Sequence, residues 1–184
     1  AKETGSVIKL LGVARNTPEG IEVRVHPMLI PERHPLASVN DSFNAVFVHG
    51  DAVDDAMFYG RGAGELPTAS AVVGDIFDIA RNLQYECCGR ISCTCYKQLP
   101  IKAMDDICSK YFLRMLVENE PGVLAAVTAV FGDRKVSIEQ IIQKKKIGEL
   151  AEIVVITEKV KERHVKDSLK AFEEMTAVKK VSSV

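Results

Sequence analysis

The sequence predicts an α+β chain in two parts: antiparallel strands that lead through a glycine-rich turn into one helix, then a second segment ordered β-α-β-β-α-β. Three observations carry this. Apolar and polar residues alternate over residues 6–14 and 21–29. Gly60, Gly62 and Gly64 fall within five positions, directly before a stretch of helical period. From Lys110 onward, strand-like and helix-like segments follow one another with short turns.

Taken in order, the opening AKETGS is polar and reads as a frayed end or the remnant of a longer chain. Residues 6–14 read as a strand, 16–20 (NTPEG) as a turn, and 21–29 as its partner, with Ile21, Val23 and Val25 expected inward and Glu22, Arg24 and His26 outward. His26 is thus an exposed strand-end residue. Residues 31–39 (PERHPLASV) connect strands, with His34 held extended by the proline that follows it. A third strand is expected over 43–49, with Asn44 its odd polar residue. Gly50 and Asp51 then turn the chain into a fourth over 56–59, and the four strands are expected to build one antiparallel layer.

The glycine turn has two readings on spacing alone. Glycines allow positive φ and close approach, and Ala69, Val72, Val73, Ile76, Phe77 and Ala80 recur at helical spacing, so a helix is expected to start near Pro67 and end near Leu83. A turn between strand and helix start offers free N–H groups and a positive dipole end, suited to a phosphate, a carboxylate or a cofactor edge. Equally, it is a tight turn that packs helix on sheet. It is not the G-x-G-x-x-G dinucleotide fingerprint, because no βαβ unit with a following acidic residue surrounds it.

Residues 84–108 lose periodicity, and a domain boundary is placed near residue 98, giving domains 1–98 and 99–184. Residues 111–118 read as a strand carrying Arg114. Val123, Leu124, Val127, Val130 and Phe131 form a helical stripe that stops at Gly132. Residues 136–143 are the next strand, 144–149 (KKKIGE) a charged hairpin tip, and 151–157 its partner. A helix over 164–175, with His164 solvated at its start, and a last strand over 178–184 complete the order.

Composition narrows the classes of function. The 184 residues are 47% hydrophobic, ample for a core, and Lys plus Arg number 24 against 25 Asp plus Glu, so a net charge of −1 recommends neither nucleic acid nor an anionic membrane as partner. No apolar run approaches the roughly 20 residues that span a bilayer, and no signal peptide opens the chain, so a soluble cytoplasmic protein is expected. Five cysteines at 87, 88, 93, 95 and 108 lack paired C-x2-C knuckles and a nearby histidine. They are read as free thiols in a reducing compartment, with a disulfide or a metal as alternatives, and no metal ligand is assigned.

The peptides VIKLLGVAR (7–15), EVRVHPMLIPERHPLASVNDSFNAVFVHGD (22–51) and FYGRGAGELPTASAVVGDI (58–76) resemble the later part of the catalytic region of homoserine dehydrogenase. Its most specific stretches are HPLASVN with FNAVFV, and GRGAG followed by PTASAVV. LRMLVENEPGVLAAVTAVF, with the element order that follows, resembles the ACT domain, a ferredoxin-like module that binds small amino acids. Together they match homoserine dehydrogenases that end in an ACT domain.

The resemblance implies a carboxy-terminal fragment of an enzyme that uses NAD(P) to interconvert L-homoserine and L-aspartate 4-semialdehyde in threonine, methionine and isoleucine biosynthesis. The Rossmann domain, the catalytic lysine and the acidic homoserine-binding residues of that family precede the first residue here, so the chain is expected to hold no catalytic residue, to bind no cofactor by itself and to be inactive alone. In the intact parent, Gly60, Gly62, Ala63, Gly64 and Thr68 are expected against the cofactor. In the second domain Asn119 is expected as N-cap, Pro121 in the first helical turn, and the amides of Gly122, Val123 and Leu124 as a cradle for an effector carboxylate. Ile138, Gln140 and Ile141 of a neighbouring copy would complete the pocket. L-Threonine is the first choice of effector, and a helix start without ligand is the other reading of that loop. Self-association as a homodimer or tetramer is expected, because strand edges and an apolar face are left uncovered. A stand-alone amino-acid sensor with an oligomerising first domain is the alternative function.

Overall fold

A computed structural model describes residues 1–87 and 97–184. The chain divides into two compact units, Ala1–Val13 with Val25–Gln98, and Ala14–Arg24 with Leu99–Val184. Cys88, Cys93 and Cys95 lie outside the described residues, whereas Cys87 and Cys108 are free and exposed. Among the described residues no three metal-ligating side chains come together, and no helix is long and apolar enough to cross a membrane.

Strands β1 (Ser6–Thr17) and β2 (Gly20–Pro31) pair as a hairpin, and β3 (Phe43–Gly50) and β4 (Asp54–Arg61) pair antiparallel from Phe43↔Arg61 to Gly50↔Asp54. The expected single layer of four strands is therefore two separate ribbons. Between them the chain turns through a short 3₁₀ segment, Pro35–Ser38, where the His34 Nδ1 accepts the Leu36 amide at 3.2 Å. Prolines in this connection remove the amide donors a continuous ladder would need. On the β3–β4 ribbon the Phe43 and Tyr59 rings stack at 4.9 Å, with the Arg61 guanidinium 5.0 Å above Phe43. Such cross-strand pairs contribute about 0.2–1 kcal/mol each.

The polarity of β2 is the reverse of the alternation expected from its residues. Glu22 and Arg24 are 6% and 7% exposed, while Val23 and Val25 are 51% and 69% exposed. Partners explain the inversion: Lys102 donates to Glu22 at 3.2 Å, and Arg24 donates to the Ser109 hydroxyl at 2.6 Å. The Glu22 carboxylate is tolerated because it is paired, whereas Arg24 bonds only a neutral hydroxyl and keeps its buried Nε without a partner. Helix α1 (Glu65–Gln84) has no buried residue, and its apolar stripe is exposed.

The second unit has a continuous core. Strands β5 (Cys108–Ser109), β6 (Phe112–Glu118), β7 (Ile138–Ile147), β8 (Leu150–Thr157), β9 (Val160–Lys161) and β10 (Val178–Ser183) accompany helices α2 (Val123–Asp133) and α3 (Glu162–Glu174). The main sheet is antiparallel in the order β10-β6-β8-β7, the ferredoxin-like arrangement, with β7 and β10 at its edges. Leu113, Met115 and Val117 of β6 and Ala151, Ile153 and Val155 of β8 bury one face against Val127 and Phe131 of α2 and Val165 and Phe172 of α3. Full burial of each large side chain is worth about 1.5–3 kcal/mol. The architecture is α+β throughout.

Strand β7 runs on through residues 144–147, where the charged sequence suggests a hairpin tip; Lys146 pairs with Ala151 and Ile147 with Leu150, leaving the turn to Gly148 and Glu149.

Candidate functional site

The three glycines after β3 do different things. Gly60 lies inside β4 opposite Asn44, not in a turn. Gly62 donates its amide to the Ser42 carbonyl at 3.0 Å, and a Cβ built on it would overlap the carboxamide of Asn44. The space that requires glycine there is filled by a neighbouring strand. Gly64 alone takes a positive φ, +126°, and is the N-cap of α1; Thr68 closes the first helical bond to its carbonyl at 3.1 Å. The helix thus starts at Glu65, two residues earlier than the proline suggests, and Pro67 sits within the first turn, where its missing N–H costs nothing.

Gly62, Ala63, Gly64 and Thr68 line one open depression together with Glu65, Ala69, Val72 and Val73. Four of the five sequence-assigned cofactor residues are brought together, and Gly60 is not among them. The lining is small and mostly apolar, suited to the flat edge of a ring. Asn44, exposed at the side of Gly62, stands out in the sequence only as a polar residue in an apolar strand.

In the second unit the loop 119–124 departs from the capping expected. Gly122, with φ +90° and ψ −18°, is the N-cap of α2, and Asn119 and Pro121 precede the helix. The Val123 amide bonds to the Glu120 carbonyl at 3.3 Å, so it is not free to cradle a carboxylate. Asn119 instead ties the loop to the sheet: its amide donates to the Glu149 carbonyl at 3.1 Å, and its side-chain oxygen accepts Gln143 Nε2 at 3.4 Å. A proline-glycine turn folds back on itself more readily than an Asn three residues upstream can reach the helix.

Ile138, Gln140 and Ile141 all lie on β7, opposite Thr157, Ile156 and Val155. Asn119 follows Glu118, which pairs with Leu150 at the other end of β8. At about 3.3 Å per residue, Ile138 and the loop stand roughly 20 Å apart along one sheet. Within one copy, Ile138 therefore does not meet the loop. Gln143 is the β7 residue that meets the loop within one copy, and the sequence hides its role because the apolar alternation of β7 ends there.

The sequence model described as homoserine dehydrogenase matches residues 1–77, and that described as the ACT domain matches residues 111–176. The homoserine dehydrogenase of Neisseria gonorrhoeae (strain ATCC 700825 / FA 1090) is 45% identical over 186 residues, covering 98% of this chain and 43% of its own length. That of Bacillus subtilis (strain 168) is 39% identical over 185 residues, covering 100% and 43%. Among solved structures, a homoserine dehydrogenase from Thiobacillus denitrificans superposes with a TM-score of 0.86 at 39% identity, covering 98% of this chain and 42% of that one. The chain spans less than half the length of the relatives it matches. Over that span, the chain matches the carboxy-terminal part of homoserine dehydrogenase, with the ACT domain over residues 111–176.

Proposed function

We propose that this chain is the carboxy-terminal part of an NAD(P)-dependent homoserine dehydrogenase, which interconverts L-homoserine and L-aspartate 4-semialdehyde in the cytoplasm. Residues 1–98 form part of its catalytic and dimer-forming region, and residues 99–184 sense an amino acid for feedback control. The observation that carries this is the succession of two family matches along a chain aligned over 98% of its length at 45% identity. Alone, the 184 residues are inactive, since the residues the family uses for hydride transfer lie outside them.

NAD(P) supplies hydride chemistry when bound to the intact enzyme. The part of this chain is to offer it a surface: Gly62, Ala63, Gly64 and Thr68 shape the depression at the start of α1, and Gly60 holds the strand behind it. Self-association is supported by Leu10, Val25 and Phe58, exposed at 72%, 69% and 69%.

L-Threonine is the effector proposed for the loop of Asn119, Pro121, Gly122, Val123 and Leu124, completed by Ile138, Gln140 and Ile141 of a second copy. Because the Val123 amide is engaged, the carboxylate falls to the amides of Gly122 and Leu124. Calorimetric titration of the 184-residue chain with millimolar L-threonine tests this. Gly122→Asp places a carboxylate where the ligand's sits and is expected to abolish the heat, while Gly122→Asn, which tolerates a positive φ with no charge, retains it. No heat with the unmodified chain, or equal binding by Gly122→Asp, overturns the assignment.

A further inference from the structure

The segment of residues 99–109 is gripped from two sides, and every residue involved belongs to the second compact unit. On one side is the turn of the β1–β2 hairpin. The Ile21 amide donates to the Pro100 carbonyl at 2.8 Å, the Lys102 amide returns a bond to the Ile21 carbonyl at 2.9 Å, and Ile21 and Ile101 form a parallel bridge. A Cβ on Gly20 would stand 2.5 Å from the Pro100 carbonyl oxygen, so the two backbones touch. Side chains extend the grip: Lys102 Nζ reaches Glu19 at 3.0 Å and Glu22 at 3.2 Å, and Arg24 donates to Ser109.

On the other side is the start of α3. Its first amide, Glu162, donates to the Ile107 carbonyl at 3.0 Å, and Cys108 and Ser109 pair with Lys161 and Val160. Ile107 is buried to 1% exposure. Lys166 holds Asp105 at 2.6 Å, and Lys161 and Arg163 hold Asp106. Tyr111 donates its hydroxyl to Glu162, fixing the same turn of helix to the sheet. At its far end α3 leads through Met175 to Ala177, whose carbonyl accepts the Glu118 amide at 2.9 Å, one residue before the loop that begins at Asn119. A 13-residue helix is a rod of about 20 Å.

We propose that residues 99–109 act as a relay within the second unit, so that a shift of α3 is passed to the hairpin turn. The physical reason lies in what joins the two grips. Glu22 and Arg24 are nearly fully buried, and separating them from Lys102 and Ser109 would strand charge away from water. The hairpin turn therefore follows the segment instead of sliding over it. As a route of regulation the relay rests on the reading of residues 99–184 as an amino-acid sensor; as a mechanical link it does not.

Amide hydrogen exchange on the 184-residue chain tests the link without any ligand. In the double variant Glu22→Gln, Arg24→Met, exchange at Ile107 and Glu162 is expected to rise at least tenfold, while Leu113 and Val155 in the sheet keep their protection. Acceleration confined to Ile21 and Lys102, or spread evenly over the sheet, overturns the relay. A single variant, Lys102→Met, is expected to give the same pattern, and Lys102→Arg to restore protection. In the intact enzyme Lys102→Met is expected to leave the basal rate unchanged and to raise the L-threonine concentration for half-inhibition about tenfold. An intact unmodified enzyme indifferent to L-threonine refutes the effector reading alone, and the exchange pattern still decides the relay.

Discussion

The carboxamide of Asn44 lies across the α-carbon of Gly62, in the position a Cβ would take. Asn44 lies on β3 with Gly60 as its direct partner on β4, and Gly62 follows the last residue of β4. A glycine that resembles a ligand contact is thus also a packing contact. Gly62→Ala is expected to push the exposed Asn44 side chain aside and to cost about 1–2 kcal/mol, in the range for modest overpacking. Adding Asn44→Ala to Gly62→Ala should recover most of that loss. Urea midpoints of the four chains in the cycle measure the coupling, and strictly additive losses would show that the contact carries none.

Phe131 and Phe172 meet edge to face, 5.0 Å between ring centres at 70°, and both are fully buried. They join α2 to α3 beneath the sheet. Replacing either with alanine is expected to destabilise the second unit by about 3–5 kcal/mol through lost burial and a residual cavity. Leucine at either position should cost clearly less. Thermal melts followed by far-ultraviolet circular dichroism give the comparison.

The Lys166 ammonium, through its hydrogen bond and then its charge, holds the Asp105 carboxyl below its ordinary value of 3.8. A carboxylate whose pKa is lower folded than unfolded adds stability above the unfolded value, and loses it as the pH falls through the folded one. The contribution of Asp105 is therefore present at neutral pH and is lost progressively as the pH falls below about 4. The difference in stability between the unmodified chain and Asp105→Asn is expected to be small, since the pair is exposed, and to shrink as acid protonates the carboxylate. Urea unfolding at neutral and acid pH measures it, and a difference that grows on acidification would contradict the assignment.

The β-α-β-β-α-β order is legible in the residues because the sheet and its two helices cover one another inside a single segment of chain. Where apolar residues have a partner nearby in sequence, period and burial agree, as at Leu113, Met115 and Val117 or at Val165 and Phe172. Period misleads at β2, where Val23 and Val25 alternate as a buried face should, yet Glu22 and Arg24 take the inside. Their partners, Lys102 and Ser109, stand about eighty residues away, and period alone is silent on such pairings. The candidate site is half legible. Gly62, Ala63, Gly64 and Thr68 do share one depression, but Gly60 belongs to the strand, and Asn119 caps no helix.

By itself the sequence determined the class of fold, the succession of elements and the family, because these rest on local period, turn residues and the kind of residue at each position. Only the tertiary structure decided which face of β2 is buried, and that residues 99–109 lie between the hairpin turn and α3. Each of those depends on groups distant along the chain meeting in space, where a buried carboxylate finds its ammonium, or a backbone carbonyl finds an amide. The free energy of such a meeting resides in neither residue alone.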